Sequence, residues 1–210
     1  RLKVINELPQ VTSMHWHGMH VPGDMDGGPQ REVQPGADWD VKFQVDNPAG
    51  TYWYHPHPHM LTASQATKGI AGMIIVRDAE EEALDLPRAY GVDDFPVVVQ
   101  DRRFLANGSM PTAPYGDSVL VNGTPHAYLE CPAQVVRLRL LNGANARVLD
   151  LGFKNGTEMH VITGDGGLLN APVTTERLRL SNGERYEVLL DLSGLEGDSL
   201  LLMSFGSELP

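Results

Sequence analysis

Histidines are the residues of this chain whose type and spacing point most directly to chemistry. The chain has eight histidines, and six of them lie in two short clusters: His15, His17 and His20, then His55, His57 and His59. Imidazole nitrogens bind copper, zinc, iron and nickel. A lone histidine on a strand is usually structural or solvated, but two such clusters close together in sequence favour a metal site.

The spacing within each cluster indicates how many metal ions the site holds. Alternate residues of a β-strand point to the same face, so His15 and His17 project together, as do His55 and His57. Their Cα atoms would lie about 6.5–7 Å apart, from about 3.3 Å per residue. That separation suits two neighbouring ions better than one shared ion. The two pairs therefore predict a site with more than one metal.

The remaining histidines have other expected roles. Pro58 and the residues after it indicate that the strand is ending, so we expect His59 to lie behind the ligands rather than on a metal, and His20 likewise. His126 follows an Asn-Gly turn and is expected at the surface. His160 lies on a predicted strand, in the core or at the surface.

Short strands separated by turns must position these histidines. Helical periodicity is limited to residues 62–68 and 79–86, and five Asn-Gly pairs mark turns. The main predicted strands are 1–6, 40–46, 51–55, 70–76, 96–100, 135–141, 159–163, 187–192 and 200–203. This pattern predicts an all-β fold of β-sandwiches or barrels, and the sizes of the two parts of the chain fit small tandem sandwiches. The acidic stretch 79–85 suggests a first domain at 1–80, a linker at 81–90 and a second domain at 91–210.

Composition excludes several classes of function. The 210 residues include 16 Lys and Arg against 27 Asp and Glu, a formal net charge of -11, so we expect no nucleic-acid partner. No apolar run approaches about 18 residues, so we expect no membrane insertion. The single cysteine, Cys131, allows no intrachain disulfide and no Cys-rich zinc site.

The order of motifs resembles the multicopper oxidases, especially the bacterial three-domain cuprous oxidases and laccases. In the first half the matching segments are His15-Trp16-His17-Gly18, Asp26-Gly27-Gly28-Pro29-Gln30, Pro35-Gly36, Trp53-Tyr54-His55-Pro56-His57 and Gly69-Ile70-Ala71-Gly72. In the second half they are Gly116-Asp117-Ser118, Val121-Asn122-Gly123, residues 137–143 and Asp165-Gly166-Gly167-Leu168-Leu169. The resemblance covers nearly the whole chain.

This resemblance implies a fold and a set of ligands. The family is built of cupredoxin-like Greek-key β-sandwiches, and its first domain supplies four of the eight histidines around a trinuclear copper cluster. By motif, His15 would bind the type 2 copper, His17 and His55 would share one type 3 copper, and His57 would bind the other. Asp26 matches an acidic residue that assists proton delivery; otherwise it is a turn residue. Trp16 and Trp53 are expected to pack around the site.

The resemblance also implies a part that this chain does not show. The last domain of the family supplies the other four cluster histidines and the type 1 copper, which needs two histidines and a cysteine thiolate. Cys131 has no histidine beside it, so we expect it to be a buried or edge residue. The second domain is expected to be a spacer without copper ligands, and the N-terminal domain to be incomplete.

The expected function is that of a copper-dependent oxidase with dioxygen as acceptor. A phenol, an aromatic amine or Cu(I) would be oxidised in the missing domain, which belongs to the same protein or to a separate chain. We expect export to the periplasm or the extracellular space. Alternatives are a short mature protein that completes its cluster with a partner, a non-enzymatic copper carrier and a copper-free structural module. A zinc hydrolase is a weaker rival, since no general base is evident.

Overall fold

Two β-sandwiches follow one another along the chain in the computed structural model, which describes residues 1–208. The strands of the first are β1 (Leu2–Ile5), β2 (His15–His17), β3 (Asp38–Val41), β4 (Gly50–His55) and β5 (Gly72–Val76). This part of the chain also has two short helices. α1 (Thr62–Thr67) lies between β4 and β5, and α2 (Ala79–Glu82) follows β5. β1 pairs with β3, and β4 lies between β2 and β5 in a second antiparallel sheet.

A sheet of seven strands and a sheet of three form the second sandwich. The larger sheet has the order β12-β11-β14-β9-β6-β7-β8, and the smaller has the order β13-β10-β15. The strands are β6 (Asp94–Arg102), β7 (Ser118–Val121), β8 (Thr124–Pro125), β9 (Val135–Asn142), β10 (Leu149–Phe153), β11 (Met159–Gly164), β12 (Gly167–Thr175), β13 (Arg177–Leu180), β14 (Arg185–Asp191) and β15 (Leu202–Ser204). A short 3-10 helix covers Gly206–Glu208. The predicted all-β fold of tandem sandwiches is therefore confirmed.

One predicted strand is shorter than expected. The alternating segment 40–46 predicts a strand of seven residues, but β3 ends at Val41. β3 pairs with β1, and the register places Leu2 opposite Val41. Residues 42–46 lie beyond the paired part of β3 and form no strand in the described structure.

Each sandwich has its own apolar core. The first core contains Trp16, Met19, Val33, Trp39, Val41 and Tyr52. The second is larger and contains residues such as Phe95, Leu138, Leu140, Leu151, Met159 and Val188. Because the two cores are separate, the polar contacts between the sandwiches decide how the domains sit on each other.

A buried ion network joins the two domains. Glu187 of β14 accepts from the Arg139 Nη1 atom at 2.5 Å and from the Thr51 hydroxyl of the first domain at 2.7 Å. Arg137 also donates to Glu187 and reaches Glu81 of α2 at 2.6 Å. These four charged side chains are at most 1 % exposed. Buried charges are tolerated only when paired, so the network fixes the domain arrangement.

A second polar contact joins the domains at the helix α1. The guanidinium of Arg102, at the end of β6, donates to the carbonyl oxygens of Thr67 at 2.7 Å and of Ala66 at 2.8 Å. The last carbonyls of a helix lack partners within the helix, so an arginine there satisfies them. No helix in residues 1–208 is both long enough and apolar enough to cross a membrane.

Candidate metal centre

The pairing of β2 with β4 brings the two histidine clusters together. In this antiparallel register His15 lies opposite His55, and His17 lies opposite Trp53. Residues opposite each other in a sheet share a face, so His15, His17 and His55 point to the same side. His57 follows the end of β4, and its backbone N–H donates to the buried hydroxyl of Ser13 at 3.0 Å. The four predicted ligands thus come from two neighbouring segments of backbone.

The four imidazole rings form a compact group around His15. The centroid of the His15 ring lies 5.6 Å from that of His17, 5.3 Å from that of His55 and 5.4 Å from that of His57. One ligand nitrogen from each of His15, His17 and His55 lies within 4.8 Å of the other two. Three converging imidazoles are a donor set that suits copper or zinc.

Hydrogen bonds to the outer ring nitrogens orient two of these rings. His15 Nδ1 lies 3.0 Å from the Asp26 carbonyl oxygen and 3.2 Å from the Asp26 carboxylate. His55 Nδ1 donates to the Pro56 carbonyl at 2.9 Å. A carbonyl partner requires the N–H at Nδ1, which leaves Nε2 with a free lone pair. Both Nε2 atoms are therefore available as ligands.

His17 differs from His15 and His55, because it presents Nδ1 rather than Nε2 to the site. Its Nδ1 lies 3.2 Å from His55 Nε2. Two nitrogens bound to one ion at about 2.0–2.1 Å, in square or tetrahedral geometry, are about 2.8–3.4 Å apart. The observed separation fits a shared ion between His17 and His55, although the assignment of each histidine to a particular copper stays a prediction.

The environment keeps two of these imidazoles neutral. Burial, the positive charge of Arg185 and the neighbouring histidines together lower the pKa of His17 to about 4. Burial likewise lowers the pKa of His55 to about 4. Metal ions bind the unprotonated ring, so both side chains are ready to act as ligands well below neutral pH.

A tight loop presses Asp26 against the strand β2. Gly27 has φ of +70°, and a Cβ atom on it would lie 1.8 Å from the Met14 carbonyl oxygen. Only glycine allows that approach. The indole N–H of Trp16 donates to the Met25 carbonyl at 3.0 Å and so ties the same loop to β2. Asp26 is thereby held beside His15.

The two tryptophans pack as expected. The ring of Trp53 lies 4.3 Å from that of His55 and 5.1 Å from that of His17, measured between centroids. Trp16 lies in the apolar core of the first domain, on the other face of β2. One tryptophan therefore supports the rings directly, and the other anchors the strand that carries them.

The remaining histidines and the cysteine lie outside the group of four imidazoles. His20 and His59 are both exposed, as is His126, which has φ of 51°. His160 on β11 contacts the Thr174 hydroxyl at 2.9 Å. Cys131 is partly buried against the core of the second domain, and burial raises the pKa of its thiol.

Sequence reasoning missed Ser13, whose hydroxyl fixes the backbone of His57. Ser13 is 0 % exposed and lies 44 residues before its partner. Its type and its position just before Met14 carry no signal that would separate it from an ordinary buried serine. A contact between distant segments becomes visible only in the fold.

Comparison with known proteins identifies the family on both sides of the linker. Models of multicopper oxidase domains match residues 1–81 and residues 94–204. Among curated proteins, a multicopper oxidase mco from Staphylococcus haemolyticus is 37% identical over 97% of this chain and 46% of its own length. The cell division protein FtsP of Escherichia coli is 44% identical over 90% of this chain and 41% of its own. The chain thus spans less than half the length of these relatives.

Solved structures agree in fold. The laccase-like multi-copper oxidase CueO from a lignin-degrading Ochrobactrum species has a TM-score of 0.93 and 39% identity, covering 99% of this chain and 48% of its own. A laccase from Pediococcus acidilactici has a TM-score of 0.92 and 39% identity, over 97% of this chain and 46% of its own. The cupredoxin-like Greek-key fold that the sequence predicts is confirmed. From these matches and the two domain models, the chain belongs to the multicopper oxidase family.

Proposed function

We propose that this chain supplies half of a trinuclear copper cluster in an oxidase that reduces dioxygen to water. The observation that carries the proposal is the register of β2 and β4, which gathers four imidazoles on one side of the sheet. In the complete protein, His15 would bind the type 2 copper. His17 and His55 would share one type 3 copper, and His57 would bind the other.

The four histidines and Asp26 fit copper as the resident metal. His17 and His55 are neutral and face each other at 3.2 Å, and His15 presents Nε2 because Asp26 occupies Nδ1. Copper would supply the one-electron chemistry, by which four electrons and four protons convert one dioxygen into two waters. Several neighbouring ions can deliver these electrons without releasing partly reduced oxygen.

Asp26 would move protons in this reaction. Its carboxylate is about one-third exposed and touches His15, so it lies between solvent and the site. A carboxylate in that position can pass protons inward as oxygen is reduced. It also holds the His15 ring through the same contact.

The electron donor lies outside the described residues. A type 1 copper needs a cysteine and two histidines, and within residues 1–208 the single cysteine packs in the second domain's core. We propose that a C-terminal domain, in the same protein or a separate chain, carries this copper and the other four cluster histidines. The reducing substrate would be a phenol, an aromatic amine or Cu(I), and we expect an exported protein.

A double variant of the shared pair tests the proposal. His17→Ala with His55→Ala, made in the protein that carries this chain and its type 1 copper domain, should abolish oxygen consumption. The far-ultraviolet circular dichroism should not change, because both side chains lie on one face of a sheet that keeps its backbone bonds. The matched control is His126→Asn with His160→Asn, which removes two histidines remote from the site. A double variant as active as this control would overturn the proposal.

The similarity to FtsP supports a second candidate, a structural module without oxidase activity. FtsP is named for cell division, and it is a relative at 44% identity. The four imidazoles argue against this candidate, because all four predicted ligands are present and two of them, His17 and His55, are neutral and ready to bind a metal. Metal analysis of the purified protein separates the two, because a structural module would bind no copper when the metal is supplied.

A further inference from the structure

The second domain contacts the candidate copper centre directly, although its sequence contains no predicted ligand. The contact is made by the turn 181–185, which joins β13 to β14. Gly183 in this turn has φ of +80°. A Cβ atom on Gly183 would lie 3.1 Å from His17 Cε1, 3.5 Å from His17 Nε2 and 3.5 Å from Trp53 Cζ2. The turn therefore lies against the Cε1–Nε2 edge of the His17 ring.

The turn is rigid because its polar groups are paired. The Gly183 N–H donates to the Asn142 carbonyl at 2.9 Å, and the side chain of Asn182 donates to the Ala144 carbonyl at 2.9 Å. The Glu184 N–H closes the turn onto the Ser181 carbonyl at 3.1 Å. These hydrogen bonds hold the turn on the second sandwich, and the imidazole of His17 packs against it.

Arg185 links this surface to the strands that carry the ligands. Its guanidinium donates to the Gly183 carbonyl at 3.1 Å and, from Nε, to the Thr51 carbonyl of β4 at 3.0 Å. A Cβ atom on Gly18, the residue after His17, would lie 2.5 Å from Arg185 Nη2. The Asp165 carboxylate pairs with the guanidinium at 2.9 Å. One buried side chain thus ties the turn to β4 and lies against Gly18, the residue that follows β2.

We propose that the turn 181–185 is a positioning element of the copper centre, holding the imidazole of His17 so that Nδ1 faces His55. The inference rests on the proposed function, since it concerns the geometry of the same site. It gives the second domain a part in metal binding that a spacer would not have. Groups that orient a metal ligand commonly affect metal affinity about 10- to 100-fold.

The test is the substitution Gly183→Ala in the full chain. The added methyl group would press on His17 Cε1 and turn the ring. The matched control is Gly194→Ala, because Gly194 has φ of +79° and no atom within 4 Å of its Cβ position. Both variants carry the same backbone strain, and Gly183→Ala alone disturbs the histidine.

Copper affinity is the measurement. The metal-free protein, this chain together with the domain that carries the type 1 copper, is titrated with Cu(I) against a competing chelator, and urea unfolding is followed in parallel. We expect Gly183→Ala to bind the cluster copper about 10-fold or more weakly than Gly194→Ala, at a similar unfolding midpoint. Equal affinities of the two variants, with cluster copper bound by the unmodified protein, would overturn the inference alone. An unmodified protein that binds no cluster copper in this combination would overturn the proposed function and the inference with it.

Discussion

At the scale of single residues, the candidate site depends on which nitrogen of each imidazole is free. Asp26 takes Nδ1 of His15 and the Pro56 carbonyl takes Nδ1 of His55, so both rings present Nε2. The sequence predicted that these four histidines lie together, because two clusters of histidines repeat with the spacing of a strand, and the rings do lie together; their role as ligands stays a prediction. It did not predict the buried hydroxyl of Ser13, because that contact depends on the fold.

The proton-delivery role that we propose for Asp26 can be tested separately from metal binding. Asp26→Asn keeps the backbone contact to His15 Nδ1 but removes the carboxylate charge, so copper should still bind. Proton delivery would be lost, and oxygen consumption should fall about 100-fold. Asp24→Asn is the control, because Asp24 is exposed two residues away in the same loop. Copper content and oxygen uptake are measured together; an unchanged rate for Asp26→Asn would contradict the proton-delivery role.

At the scale of elements, the strands that form from β-branched and aromatic runs are the ones that the sequence predicted well. β4, β9 and β11 lie within one residue of their predicted bounds at each end. β12 was not predicted, because it is mostly exposed and contains Pro172; it lies at the edge of its sheet, where proline is tolerated. Residues 42–46 show the opposite error, since they alternate in polarity although β3 ends at Val41.

The buried ion network between β14, β9 and α2 leads to a prediction about the free energy of unfolding. Glu187→Gln would leave Arg137 and Arg139 buried with fewer charges to pair, at a cost of about 3–5 kcal/mol in the free energy of unfolding. Asp117→Asn is the control, since its pair with Arg103 is exposed and contributes at most about 1 kcal/mol. Urea denaturation measures both. A similar loss in the two variants would show that the buried network does not stabilise the domain arrangement.

At the scale of the whole molecule, the second domain is more than a spacer, because it contacts both the first domain and the candidate site. The ion network fixes it on the first domain, and the turn 181–185 reaches the ring of His17. Sequence patterns predicted two sandwiches but could not reveal this contact, because it joins segments more than 160 residues apart through a glycine backbone. The arrangement leaves four imidazoles together on one domain, which under the proposed function would be half the ligand set of a trinuclear cluster.

The near-ultraviolet absorption of the copper-loaded protein tests this half-site most directly. Spectra are recorded for the chain alone and for the chain together with the domain that carries the type 1 copper. We predict the absorption band of a bridged type 3 copper pair in the combination and not in the isolated chain, since in the proposed function each side would supply four of the eight histidines. A combination that binds copper without this band, or an isolated chain that shows it, would contradict the half-site.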